Sequence, residues 1–183
     1  GGALNTRLSA FRLTDETRAT RYDSEGVATN DSVAAGKTRV KGAEVEVSGK
    51  LTDNWELLGG YTWMDTETVK GDAETTFFIM PRHQASLWSK YTISRGALTG
   101  LAIGGGVSAM SNFHSENGGV RIDAPGYATV DAMLSYPMTA RLTATVNVNN
   151  LFDRDYLSRV GSTSTFNFYG PSRSVLVGAR YDF

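Results

Sequence analysis

The chain has 183 residues, 40% of them hydrophobic and 10% aromatic, with 18 Lys+Arg against 19 Asp+Glu for a net charge of -1. That length is one domain's worth, and the balanced charge provides no domain-wide basic field for nucleic acid. With no Cys in the chain, disulfide scaffolds, thiolate metal sites and cysteine nucleophiles are all excluded. Glycine is plentiful at 20 residues while proline is scarce at 4, a balance that argues for ordered use of glycine rather than disorder.

The chain opens Gly1-Gly2-Ala3, with no initiator Met and no basic-then-apolar leader, and so reads as a mature product or a piece of something longer. From there a period of two recurs. A first, less regular strand is expected over Leu4 to Thr14, followed by a long polar loop, Asp15 to Lys37. Next, Ala43, Val45, Val47 and Leu51 alternate with Glu44, Glu46, Ser48 and Lys50. After the turn Thr52-Asp53-Asn54, Trp55, Leu57, Gly59, Tyr61 and Trp63 alternate with Glu56, Leu58, Gly60 and Thr62, and a second long loop is expected from Glu67 to Phe78. Ala85, Leu87, Tyr91 and Ile93 then oppose Gln84, Ser86, Trp88, Lys90 and Thr92, before the turn Ser94-Arg95-Gly96.

The stretch from Gly96 to Phe113 is uncharged, but five glycines interrupt it. Each glycine costs about 1 kcal/mol inside a helix, so it reads as a strand, with Leu101, Ile103, Gly105, Val107 and Ala109 on one side and Ala102, Gly104, Gly106 and Ser108 on the other. A third long loop runs from His114 to Arg121, and then Ala128, Val130, Ala132, Leu134 and Tyr136 oppose Thr129, Asp131, Met133 and Ser135. The turn Pro137-Met138-Thr139 leads to Leu142, Ala144, Val146 and Val148, which oppose Arg141, Thr143, Thr145, Asn147 and Asn149. A fourth long loop, Asp153 to Phe168, precedes the last strand, in which Val175, Val177, Ala179, Tyr181 and Phe183 oppose Ser174, Leu176, Gly178, Arg180 and Asp182.

The sum is an all-β chain of about eight antiparallel strands. Each is about ten residues or longer, and about ten is the length a tilted strand needs to cross a bilayer. Short turns alternate with long loops, the asymmetry of an outer-membrane barrel with short periplasmic turns and long extracellular loops. Trp55, Tyr91, Tyr136, Tyr181 and Phe183 gather at the short-turn end, with Tyr61 and Trp63 toward the other, as aromatic girdles would. Lipid offers no hydrogen bonds, so such strands need neighbours on both sides.

The last strand, Ser174 to Phe183, resembles the C-terminal signature of bacterial outer-membrane proteins that the barrel-assembly machinery recognises, with Tyr181 and Phe183 as the signal positions. Val146-Asn147-Val148-Asn149-Asn150-Leu151-Phe152-Asp153 followed by Asp155-Tyr156 resembles the NVxNLFDxxY segment of TonB-dependent receptors, and Gly170-Pro171-Ser172-Arg173 resembles their turn into the last strand. Val40-Lys41-Gly42-Ala43-Glu44-Val45-Glu46 and Gly126-Tyr127-Ala128-Thr129-Val130-Asp131 are similar to two further strands of that family, in particular of its ferric-siderophore receptors. The resemblance implies a parent barrel of about 22 strands, around a plug that carries a TonB box. Residues 1–183 would be its C-terminal third, with plug and TonB box absent. It also implies partners in the bilayer, in the remaining strands and plug, in TonB through the plug, and in the assembly machinery. The ligand implied for the full receptor is a ferric siderophore, with no cofactor bound by side chains. Two other readings fit the strand count: an autonomous eight-stranded outer-membrane barrel with a structural or adhesion role, and a barrel substrate captured on the assembly machinery.

No catalytic or metal site is expected. His83 and His114, the only histidines, stand far apart in sequence, and a metal needs more convergent ligands. Asp153 and Asp155 fall short of the oxygens calcium takes and read as a solvated loop start. His114, Ser115 and Asp123 share a loop but show no orienting partner for a nucleophile, so the chain is read as no enzyme. The charges Glu44, Glu46, Lys50, Glu56, Lys90, Asp131 and Arg180 are expected to face the lumen and pair there. Among the loop aromatics Trp63, Phe77, Phe78, Phe113, Phe166, Phe168 and Tyr169, the residues expected to touch a ligand are Phe113, Phe166, Phe168 and Tyr169, by stacking and apolar contact.

Overall fold

The computed structural model describes residues 2–71, 81–117, 120–161, 163 and 166–183. Eight strands form one antiparallel sheet: β1 (Leu4–Tyr22), β2 (Ala28–Thr52), β3 (Trp55–Gly71), β4 (His83–Thr92), β5 (Ala102–Met110), β8 (Tyr127–Pro137), β9 (Leu142–Asn149) and β12 (Ser174–Tyr181). They pair in chain order from β1 to β12, and the sheet is open, with β1 and β12 as its edges. Two small hairpins sit apart from it, β6 (Phe113–Asn117) with β7 (Val120–Ala124), and β10 (Leu157–Arg159) with β11 (Phe168–Tyr169).

The register turns the period of two into two chemically distinct faces. Val45, Tyr61, Ala85, Ala109 and Ala128 form one cross-strand row, and Val47, Gly59, Leu87, Val107 and Val130 form the next on the same face. Leu8, Leu87, Ile103, Leu134, Val175 and Val177 on this face are each 45% or more exposed. A patch of that kind is an aggregation hazard in water and the expected outer band of a barrel in lipid. Trp55 and Tyr91 bound the band at the short-turn end, where the Trp55 Nε1 donates to Ser89 Oγ at 2.7 Å. Trp63 closes it at the other end beside Tyr61, whose hydroxyl lies 2.7 Å from His83 Nδ1.

The opposite face carries the charges. Lys90 Nζ lies 2.8 Å from Glu56, with Lys50 in the same row. Ser9 Oγ donates to Glu44 at 3.4 Å. The glycines of β5 serve Trp88 of β4: a Cβ on Gly104 would stand 2.9 Å from its ring and one on Gly106 at 2.5 Å. The indole lies over the bare backbone of the next strand, as an aromatic covers a strand glycine.

Three of the expected long loops are shorter than the sequence suggests. The segment Asp15–Lys37 stays in the ladder of β1 and β2 as far as Tyr22 opposite Ala28, with register shifts at Thr17/Arg18 and Thr20/Tyr22, and only Asp23 to Val27 turn. There Asp23 Oδ1 accepts from the amides of Glu25 and Val27, both at 2.9 Å. His114–Arg121 lies within the β6–β7 hairpin, and Asp153–Phe168 includes β10 and begins β11. At the other end the connections are tight: Gly100, at φ 90°, donates its amide to Ile93 O at 2.7 Å, a left-handed backbone that favours glycine.

Candidate functional site

Above the long-loop end of β8, β9 and β12, residues distant in sequence converge on Asn150. This residue directly follows β9, at φ 49°, and is 5% exposed. Asn tolerates the left-handed region better than other side chains, and here the turn aims its amide inward. The Asn150 Nδ2 donates to Arg154 O at 2.9 Å and Pro171 O at 3.1 Å, while its Oδ1 accepts from Arg154 N at 2.9 Å. Its own backbone N–H donates to Asp131 Oδ1 at 2.8 Å. Asp153 follows at φ 53° and accepts the Arg173 amide on Oδ1 at 2.7 Å. The left-handed turn points this carboxylate at the start of β12, so Asp153 is more than the solvated loop residue expected from sequence.

Two rings complete the joint. Tyr156 packs on Tyr127 with centroids 4.1 Å apart, and its ring occupies the space a Cβ on Gly170 would need. Thus Tyr127, Asp131, Asn150, Asp153, Tyr156, Gly170 and Arg173, scattered over the quoted motifs, form one lock. It ties the loop after β9 to the strands on either side.

Beside it the loops have a small core. Phe113, Ala124 and Val160 are 2%, 1% and 1% exposed, with Met110, Ile122, Tyr127 and Leu157 packed around them. Ser115, 1% exposed, donates its hydroxyl to Gly161 O, and Gly161 N donates to Asn167 Oδ1 at 3.0 Å. The β6–β7 hairpin therefore packs against the β10–β11 loop as a unit.

The four aromatic residues expected at a ligand separate accordingly. Phe113 has no surface to offer, because the hairpin turns it under Val160. Phe166, Phe168 and Tyr169 stand out from the same loop at 60%, 51% and 77% exposure. Arg159 lies 5.8 Å from the Phe166 ring centroid, and Tyr169 pairs with Leu157 in the hairpin. Trp63 belongs to the lipid-side girdle, and Phe77 and Phe78 lie outside the described residues. Large aromatic rings beside a guanidinium can cover an apolar or aromatic ligand face and attract its negative charge.

The remaining candidates do not assemble. Among the described residues no three of His, Cys, Asp and Glu form a group that could hold a metal ion. Ser115 Oγ is spent on a backbone carbonyl. Asp123 is held by Arg121 at 2.8 Å, and that hydrogen bond keeps its carboxyl below the usual range. A depressed carboxyl contributes to stability above its ordinary pKa and loses that contribution as pH falls through the lowered value.

Residues 1–151 match the family described as "TonB dependent receptor-like, beta-barrel". The chain belongs to the TonB-dependent receptor β-barrel family. Its setting is accordingly the bacterial outer membrane, as an integral β-barrel component. It is 35% identical over its whole length to the ferric-pyoverdine M114 receptor of Pseudomonas sp. (strain M114), covering 23% of that protein. It is 33% identical over 83% of its length to the ferrichrome outer membrane transporter/phage receptor of Escherichia coli (strain K12), covering 21% of it. Among solved structures it superposes on the ferripyoverdine receptor of the outer membrane of Pseudomonas aeruginosa bound to ferripyoverdine, with a TM-score of 0.77 and 27% identity, over 98% of this chain and 25% of that one. The chain thus spans under a quarter of the length of the curated relatives it matches. These relatives are transport receptors.

Proposed function

We propose that this chain is a wall segment of a receptor that imports a ferric siderophore across the outer membrane, energised by TonB acting through a plug. The observation that supports it best is the exposed trio Phe166, Phe168 and Tyr169 beside Arg159, held above the barrel by the Asn150 lock. A siderophore wraps its iron in an organic shell. A receptor that handles the intact chelate therefore needs stacking surfaces and charge rather than metal ligands. The reading assigns no bond-making step to this chain: it binds and admits cargo, and is not an enzyme.

The open sheet supports a larger barrel over an autonomous one. Each edge strand presents a row of unpaired N–H and C=O groups, and each such group costs several kcal/mol in hydrocarbon. Further strands of the receptor would cover both edges.

In the complete receptor, replacing Phe166, Phe168 and Tyr169 together with Ala is expected to weaken ferric-siderophore binding at least tenfold, about 1.4 kcal/mol, in an equilibrium titration. Phe113→Ala acts differently. It loosens the loop core and shows first as faster protease cleavage of the β6–β7 hairpin. An unchanged Kd in the triple variant removes the ligand role of the trio.

Tyr181 and Phe183, which stack edge to face with centroids 5.2 Å apart, are assigned to recognition by the barrel-assembly machinery. Phe183 is fully exposed beyond the end of β12. Phe183→Ala is expected to lower the fraction of receptor that reaches its folded, heat-modifiable form in outer membranes. Equal fractions in mutant and wild type would sink that assignment.

A further inference from the structure

The loop that carries Phe166 and Phe168 holds a backbone conformation that its own residues do not favour. Phe166 sits at φ 64°, in the left-handed region, where a bulky side chain crowds its own backbone. It does so at 60% exposure, so burial of the ring does not keep it there. Such an outlier persists only where the surrounding structure over-determines it, and outliers of this kind gather at ligand clamps.

The restraint comes from a neighbouring hairpin. Gly161 is buried, and both polar groups of its backbone are used. Its N–H donates at 3.0 Å to Oδ1 of Asn167, the residue between Phe166 and Phe168, and its C=O accepts the hydroxyl of Ser115. Ser115 is 1% exposed and stands opposite Ile122 in the β6–β7 hairpin. The root of that hairpin is tied to β4, where Ser111 N donates to His83 O at 2.9 Å and His83 N donates to Ser111 Oγ at 3.1 Å. A relay thus runs from the barrel wall through Ser115 and Gly161 to Asn167 and the two rings beside it. Two further contacts, Ser158 Oγ donating to Phe168 O at 3.2 Å and the Arg159 guanidinium over the Phe166 ring, stay inside the loop.

We infer that Ser115 is a positioning residue for ligand capture, which through Gly161 holds Phe166 and Phe168 in the arrangement that meets the chelate. Its hydroxyl is buried and touches no ligand. Without it the Gly161 carbonyl is left buried and unpaired, and the turn relaxes toward ordinary φ. Rings that were arranged in advance must then be ordered at each binding event, which lowers affinity. This role rests on the siderophore reading for its ligand, whereas the hold on the loop is measurable with no ligand present.

The test uses the complete receptor, with Ser115→Ala and Asn167→Ala each confirmed as heat-modifiable. Amide exchange followed by mass spectrometry in the unliganded protein is expected to quicken about threefold or more across residues 157–169 in both variants. A ferric tris-catecholate and a ferric tris-hydroxamate then serve as probes. Ser115→Ala is expected to raise the Kd of whichever probe the wild type binds by about fivefold. With Phe166, Phe168 and Tyr169 all replaced by Ala, the same substitution should change Kd by less than about twofold, because it acts only through those rings. Quickened exchange confined to residues 113–124, with residues 157–169 at the wild-type rate, overturns the proposal. So does an equal loss of affinity with and without the rings. If the wild type bound neither probe, the siderophore reading would be at fault, and exchange across residues 157–169 alone would decide for or against the Ser115 hold.

Discussion

Asn150→Ala is expected to destabilise the outer end of the β8–β9–β12 joint by about 3 kcal/mol. The side chain links three backbone groups, the N–H and C=O of Arg154 and the C=O of Pro171. Each would lose its partner, and a polar group left buried and unpaired costs about 1–3 kcal/mol. Water at the rim will reduce the upper end of that range. A further penalty comes from the backbone, since φ 49° suits Ala poorly, at about 1–2 kcal/mol. Asn150→Gly separates the two contributions: it restores the backbone and leaves the hydrogen bonds missing, so it should recover only part of the loss. The readout is limited proteolysis between Leu151 and Arg173 in the complete receptor, with denaturant unfolding beside it. If Asn150→Ala resisted protease as wild type does, the joint would not be what positions Phe166, Phe168 and Tyr169.

Val107→Arg is expected to cost about 2–4 kcal/mol, the penalty for a cation on the lipid face near the bilayer midplane. Val107 shares its row with Gly59, which lies midway between Trp55 and Trp63 on β3. The residue next to it, Ser108, lies on the charge-bearing face with Glu46 and Ser86, where water or a neighbouring carboxylate can receive a cation. Ser108→Arg should therefore be tolerated. Urea unfolding of the two variants reconstituted in phospholipid compares them directly. Equal penalties, or a larger one for Ser108→Arg, would mean that the faces are assigned the wrong way round.

The part of the fold inside the membrane was legible because lipid on one side and water on the other impose a strict alternation on every strand. Beyond the bilayer that pressure ends. The outer halves of β1 and β2 are polar on both faces, so periodicity is silent there and Asp15–Lys37 reads as loop, although backbone pairing and contacts such as Lys37–Glu16 at 3.0 Å continue the hairpin. The burial of Phe113 is hidden from the sequence for a related reason. An aromatic residue in a loop looks the same whether it faces a ligand or a neighbouring loop, and what buries Phe113 includes Val160, which the chain reaches only after β7, β8, β9 and β10. Asn150 lay inside a quoted motif, but its role depends on Pro171, which local pattern could not place beside it. The service of Gly106 to Trp88 likewise depends on strand register.

Uptake of iron is the measurement closest to the central claim. Cells lacking other routes and carrying the complete receptor would be supplied with radioactive iron as each of a panel of ferric siderophores. Accumulation from at least one chelate, abolished when the inner membrane is de-energised, is the result expected. A receptor folded in the outer membrane that neither bound nor admitted any ferric chelate would contradict the account.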